Sequence, residues 1–88
     1  MSEKIWSDEA WEDYLYWQTQ DKKTLKRINL LIKDIERNGP LAGVGEPEGL
    51  KGNLHGFYSR RINSADRLVY RLENNRIYIA QCRGHYDD

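Results

Sequence analysis

At 88 residues the chain has room for one hydrophobic core, so residues 1–88 are expected to form a single domain. The formal charge cancels, 14 Lys and Arg against 14 Asp and Glu, while three Trp and six Tyr supply much of the buryable area. A lone cysteine, Cys82, excludes an internal disulfide and a multi-cysteine zinc site; with no signal peptide and no apolar run of membrane-spanning length, a reducing cytoplasm away from membranes is expected.

Lys4-Ile5-Trp6 reads as a short edge strand. Ser7 follows as a helix N-cap, with Asp8 and Glu9 in the first turn, where acids suit the helix dipole. Trp11, Tyr14, Leu15 and Gln18 recur at helical spacing and predict a helix over 8–18. Asp21 caps a second helix whose apolar stripe is Leu25, Ile28, Leu31, Ile32 and Ile35. Gly39-Pro40 stops it, and the three-residue joint predicts an antiparallel helix pair.

Residues 39–56 hold six of the seven glycines and both prolines, a long loop of the kind that often carries function. Leu50 and Leu54 imply that it packs down. Beyond Phe57 the pattern is β, with strands over Tyr58–Ile62, Arg67–Leu72 and Arg76–Cys82. Asn74-Asn75 tolerates the positive φ of a tight hairpin, which sets 72 opposite 77 and 68 opposite 81. Leu68, Tyr70, Leu72, Ile77 and Ile79 then face the helices; Arg67, Val69, Arg71, Tyr78, Ala80 and Cys82 face outward. The fold class is α+β: an N-terminal strand and a helix pair on a twisted, mainly antiparallel sheet.

Charge is unevenly spread. Residues 1–50 carry 7 Lys and Arg against 10 Asp and Glu, net −3, and residues 51–88 carry 7 against 4, net +3. This reads either as an ordinary solvated surface or as a basic face for a polyanion.

The candidate site residues are Glu48, Lys51, Arg60, Arg61, Arg67, His85 and Tyr86. Together they are the side chains needed to cleave RNA without a metal. The 2′-hydroxyl attacks the neighbouring phosphate, a base takes its proton, and an acid protonates the departing 5′-oxygen. Cations stabilise the phosphorane, whose charge exceeds that of the ground state. Glu48 suits the base, His85 the acid, Arg67, Arg61 and Lys51 the phosphate, and Tyr86 a stacked base or the phosphate.

Each has a plainer reading. Glu48 is a surface carboxylate, Lys51 and Arg60 are solvated charges, and Arg61 or Arg67 pairs with Asp66 or Glu73. His85 is a terminal residue, and a metal pair of His55 with His85 is a weaker alternative. Spacing alone leaves these open.

The chain resembles the YoeB/Txe toxins through an ordered set of motifs. They include Ile5-Trp6-Ser7, Trp11 to Gln18, Lys26-Arg27-Ile28-Asn29 and Gly43-Val44-Gly45-Glu46-Pro47-Glu48. Gly56 to Ile62, Arg67-Leu68-Val69-Tyr70 and Cys82-Arg83-Gly84-His85-Tyr86 continue the set nearly end to end. The resemblance implies a microbial-ribonuclease-like (RelE-like) fold and a toxin of a bacterial type II toxin–antitoxin pair. It implies a ribosome-dependent endoribonuclease that cuts mRNA in the A site without a cofactor. It also implies neutralisation by a YefM/Axe-type antitoxin, contact with operator DNA only through that complex, and homodimers in some members. By motif position Glu48 matches the base, His85 the acid and Arg67 the phosphate-stabilising arginine, with Lys51, Arg61 and Tyr86 in support.

Three positions depart from the family pattern. Glu46 replaces a customary lysine. Gly84 stands where a bulkier residue is usual and loosens the backbone before His85. Asp87-Asp88 follow the tyrosine, where they would repel RNA phosphate yet favour a charged imidazole. The alternative function is therefore a module that binds antitoxin, ribosome or operator and cleaves weakly or not at all.

Overall fold

Ser7 and Asp21 punctuate the helical half of the chain. The Ser7 hydroxyl accepts a hydrogen bond from the Ala10 amide at 3.0 Å, which starts helix α1, Asp8–Gln20. Asp21 ends α1 and starts α2, Lys22–Asn38; its carboxylate accepts from the amides of Lys23 and Thr24 and from the Thr24 hydroxyl. The expected three-residue joint is thus a single residue, because one aspartate satisfies the orphan donors of α2 directly. Tyr14 donates to Asn29 at 2.7 Å, and these two residues flank Asp21 almost symmetrically, so the helices run back along one another.

The computed structural model describes residues 2–86, and the expectation attached to Asp87-Asp88 lies outside them. Within it, β1 (Glu3–Trp6), β2 (Glu48–Gly49), β3 (Tyr58–Arg61), β4 (Arg67–Glu73) and β5 (Arg76–Gln81) form one sheet in the order β1-β5-β4-β3-β2. Strand β1 pairs with β5 in parallel, and every other pairing is antiparallel. The edge position of β1 and the α+β class are as expected from the sequence. Strand β2 is not: two residues in a glycine-rich loop carry no alternation to read, and only their pairing with Tyr58 and Ser59 defines them.

The stripe on α2 packs as expected, with Ile28, Leu31, Ile32 and Ile35 buried and Leu25 packed beside them. They meet Leu68, Tyr70, Ile77 and Ile79 from the sheet. Burying such side chains contributes about 1.5–3 kcal/mol each before the entropy of ordering them is subtracted. On α1 the expected face is corrected. Ala10, Asp13 and Trp17 are buried, while Trp11 and Leu15 are 45% and 38% exposed. Trp11 instead joins Trp6 and Tyr14 in an aromatic group with ring centroids 4.6–6.1 Å apart.

The hairpin turns at Asn74 and Asn75, whose φ values are 51° and 61°, and sets Leu72 opposite Ile77 as expected. Further along, the register shifts. Tyr70 faces Ile79 but Val69 faces Gln81, so Ala80 is an extra, bulged residue. The bulge reverses the alternation beyond it. Cys82, expected to face outward, is fully buried in the core. Two further corrections concern the faces. Leu72, one residue from the turn, stays 38% exposed, and Val69 on the outward face is 1% exposed.

Candidate active site

Strands β2, β3, β4 and β5 place Glu48, Ser59, Val69 and Gln81 in one row across the outward face of the sheet. The next outward row along the strands, ~7 Å away by strand geometry, sets Arg61 directly opposite Arg67. A carboxylate and two guanidinium-bearing residues therefore share one face because their positions have the same parity.

The C-terminal segment folds back over this face. The Tyr86 hydroxyl donates to Glu48 Oε1 at 2.9 Å and lies 3.2 Å from Ser59 Oγ. The segment leaves β5 and reaches β3 and β2, so it crosses β4. That crossing explains why Val69, between Ser59 and Gln81, is buried on an outward face. His85 precedes Tyr86 and is exposed, as are Glu48 and Lys51; Arg67 and Tyr86 are half-buried. Lys51 opens a short 3-10 turn, Gly52–Leu54, and Leu50 beside it is buried, so the loop packs down as expected.

Arg67 is held by its own turn. Its guanidinium donates to the carbonyls of Asn63 and Asp66 at 2.9 and 3.2 Å. The ion pairs considered for Arg61 and Arg67 fall elsewhere: Arg61 pairs with Glu46 at 3.4 Å, and Glu73 pairs with Arg71. Glu46 thus lies against one of the two arginines of the face. Arg71 lies over the rings of Tyr78 and Phe57 at 4.1 and 5.9 Å, which makes Tyr78 a packing residue.

Arg60 does not belong to this face, which corrects its expected role in substrate binding. It alternates inward and its side chain is fully buried. Its Nε donates to Tyr70 Oη at 3.0 Å. One terminal nitrogen donates to Asp34 and to the Val44 carbonyl, the other to the carbonyls of Gly39 and Ala42. Five donors meet five acceptors, so none is left for RNA. The glycine-rich loop is wrapped around this guanidinium. Gly45 comes so close that an added Cβ would lie 3.0 Å from Leu31 and 3.2 Å from Arg60, and its φ of 88° also disfavours a side chain. The Gly45 carbonyl accepts from the Arg61 amide at 2.6 Å, tying the loop to β3 just ahead of Glu48.

The Asp34 carboxyl is held below the usual aspartate range by the Val44 amide and then by Arg60. Burial acts the other way at three groups. It raises the Asp13 carboxyl, although the Cys82 amide offsets part of the effect; it raises the Tyr70 phenol, and it pushes the Cys82 thiol up to about 12.

Sequence reasoning passed over Ser59 and Asp13, and considered Asp66 only as an ion-pair partner for an arginine. Ser59 touches Tyr86, the Asp66 carboxylate accepts from the Gly84 amide at 2.7 Å, and Asp13 accepts from the Cys82 amide at 3.1 Å. Only Ser59 had a signal, its shared parity with Arg61. Among the described residues no three His, Cys, Asp or Glu side chains cluster to hold a metal ion, and no helix is long and apolar enough to cross a membrane.

A family model for the YoeB-like toxin of bacterial type II toxin-antitoxin systems matches residues 6–86. Toxin YoeB of Escherichia coli K12 is 56% identical over 82 residues, covering 93% of this chain and 96% of that protein. Toxin YoeB of Streptomyces coelicolor is 52% identical over 77 residues, covering 88% and 90%. Among solved structures, a YoeB-YefM complex from Staphylococcus aureus superposes with a TM-score of 0.92 at 52% identity, covering 98% of this chain and 99% of that one. A YoeB dimer from the same organism gives 0.91 at 54% identity, covering 97% and 98%. YafQ from Escherichia coli, 18% identical with a TM-score of 0.73 over 97% of this chain and 94% of that one, shares the fold. With a family model spanning nearly the whole chain and relatives more than half identical along it, the protein belongs to the YoeB family of type II toxin–antitoxin toxins.

Proposed function

We propose that the protein is a ribosome-dependent endoribonuclease that cuts mRNA in the ribosomal A site and so stops translation. The observation that carries this reading is the shared face. The Glu48 carboxylate is linked to Tyr86, next to His85, with Arg61 and Arg67 opposite one another in the adjacent row. Glu48 takes the proton of the 2′-hydroxyl as that oxygen attacks the adjacent phosphorus. Arg67, with Arg61 and Lys51, stabilises the extra charge on the phosphorane. His85 protonates the 5′-oxygen as its bond to phosphorus breaks, leaving a cyclic phosphate on the upstream fragment. Tyr86 orients Glu48 through the phenol hydrogen bond and offers its ring to a base.

Glu48, Lys51, Arg61 and His85 are exposed, which fits a substrate presented by a large partner. The same kinship supports a YefM-type antitoxin as the neutralising partner and a homodimer as an accessible state, since related YoeB chains have been solved as both. Contact with operator DNA would then pass through the antitoxin.

The test is a translating-ribosome assay with purified protein. Wild type is expected to yield discrete cuts within A-site codons. Glu48→Ala and His85→Ala should each slow cleavage by roughly 10²–10⁴-fold, the usual worth of a general acid or base. Intact mRNA with wild type, or an unchanged rate in His85→Ala, would sink the reading. In the first case binding to antitoxin or ribosome without cleavage becomes the function.

A further inference from the structure

We infer that Asp66 is a positioning residue for His85, a role that rests on the cleavage reading above. The residue before His85 is glycine, with φ of 80°, and an added Cβ there would meet nothing within 4 Å. No side-chain packing therefore orients this peptide. Two carboxylates do so instead. Asp13 accepts from the Cys82 amide, and Asp66 accepts from the Gly84 amide at 2.7 Å. The Trp17 indole donates to the Cys82 carbonyl at 2.8 Å, and the Arg67 amide donates to the Gly84 carbonyl at 3.0 Å. Both polar groups of Gly84 thus end on the Asp66-Arg67 dipeptide.

That dipeptide is itself rigid. The Asn63 side chain accepts from the amides of Ala65 and Asp66, each at 2.8 Å. The Asp66 carbonyl accepts from the Ile62 amide and from the Arg67 guanidinium. One turn therefore sets the phosphate-stabilising arginine and, through a charge-assisted bond to Gly84, the acid. Displacing a reacting group by an ångström costs about 10²-fold in rate, so a loosened Gly84 should register in turnover.

The experiment measures single-codon cleavage on translating ribosomes for wild type, Asp66→Ala, Asp66→Asn and His85→Ala, with Gly84 amide exchange followed by NMR. Asp66→Ala should lower kcat by roughly 10- to 100-fold with KM unchanged, and should speed Gly84 exchange. Asp66→Asn keeps an oxygen acceptor and should stay within about 3-fold of wild type, with Gly84 still protected. If Asp66→Ala folds poorly, Asp66→Glu, which moves the acceptor by one methylene, carries the same expectation. Wild-type kcat in Asp66→Ala, or equal losses in the alanine and asparagine variants, would overturn the positioning role and leave the cleavage reading standing. Uncut mRNA with wild type would overturn both.

Discussion

Arg60 separates a structural role from a functional one. Its guanidinium is fully buried and spends all five N–H groups on Asp34, Tyr70 and three loop carbonyls. Arg60→Ala removes these bonds together and leaves the Asp34 carboxylate without its cation. Breaking a buried ion pair by deleting one partner costs about 3–5 kcal/mol. The Gly39, Ala42 and Val44 carbonyls sit in a partly exposed loop that water can reach, which keeps the cost in that range rather than adding a full penalty for each. For a domain of this size each kcal/mol moves Tm by about 4–8 °C, so the drop should be roughly 12 °C or more. Arg60→Lys supplies three donors on one nitrogen and should recover only part of it. The assay is thermal and urea unfolding by circular dichroism, run beside the ribosome cleavage assay. A variant with Tm within about 2 °C of wild type but little cleavage would refute the reasoning and return Arg60 to the substrate.

Four further outcomes follow from the geometry. Tyr86→Phe removes the phenol bond to Glu48 and should slow cleavage roughly 5- to 10-fold, as for one hydrogen bond of about 1 kcal/mol; an unchanged rate would make the phenol passive. Gly84→Ala should cost about 1–2 kcal/mol in urea unfolding, because only the left-handed backbone and no steric contact opposes the methyl; no loss would show that the positive φ is not required. Asp13 has a raised folded pKa from burial, so its contribution is present at low pH and is lost as pH rises through that value. Asp13→Asn, which keeps an acceptor for the Cys82 amide, should therefore unfold at higher urea than wild type at pH 7, with the gap closing toward acid; a gap that widens in acid would reverse the sign. The Cys82 thiol, buried and pushed up to about 12, should resist Ellman's reagent at pH 8 until the protein unfolds, and prompt labelling of native protein would contradict its burial.

The α2 stripe, the Asn74-Asn75 turn and its pairing of Leu72 with Ile77 were legible because each rests on a local period or local turn chemistry. The α1 face was not. Trp11 and Leu15 are half in solvent, while Ala10, Trp17 and a charged residue, Asp13, are buried. Hydrophobicity alone selects the wrong side there, because Asp13 is buried to bind an amide 69 positions away. Arg60 was misplaced for the same reason: an arginine reads as a surface residue unless the loop that will wrap it is known. The outward position of Arg67 followed from alternation, while that of Arg61 is fixed only by the pairing of β3 with β4. Their common face with Glu48 did not follow, because strand β2 exists only through its pairing with β3.

One extra residue accounts for the rest of the site. In an unbroken β5, Cys82 would face outward beside Tyr78 and Ala80. The four residues after it would carry Tyr86 roughly 13 Å further along the strand direction, off the end of the sheet. The bulge at Ala80 turns Cys82 inward, where Asp13 and Trp17 take its amide and carbonyl and the thiol lies 3.7 Å from the Ala10 carbonyl. Anchored there, the chain leaves β5, turns at Gly84 and sets Tyr86 against Ser59 and Glu48. A strand extension becomes an arm across the outward face, which brings residue 86, leaving β5, and residue 48, on β2 three strands away, within one hydrogen bond. The acidic grip on Cys82 and Gly84 is what keeps that arm in one place, so Asp13 of the helix and Asp66 of the turn belong to the same device as the exposed residues of the face.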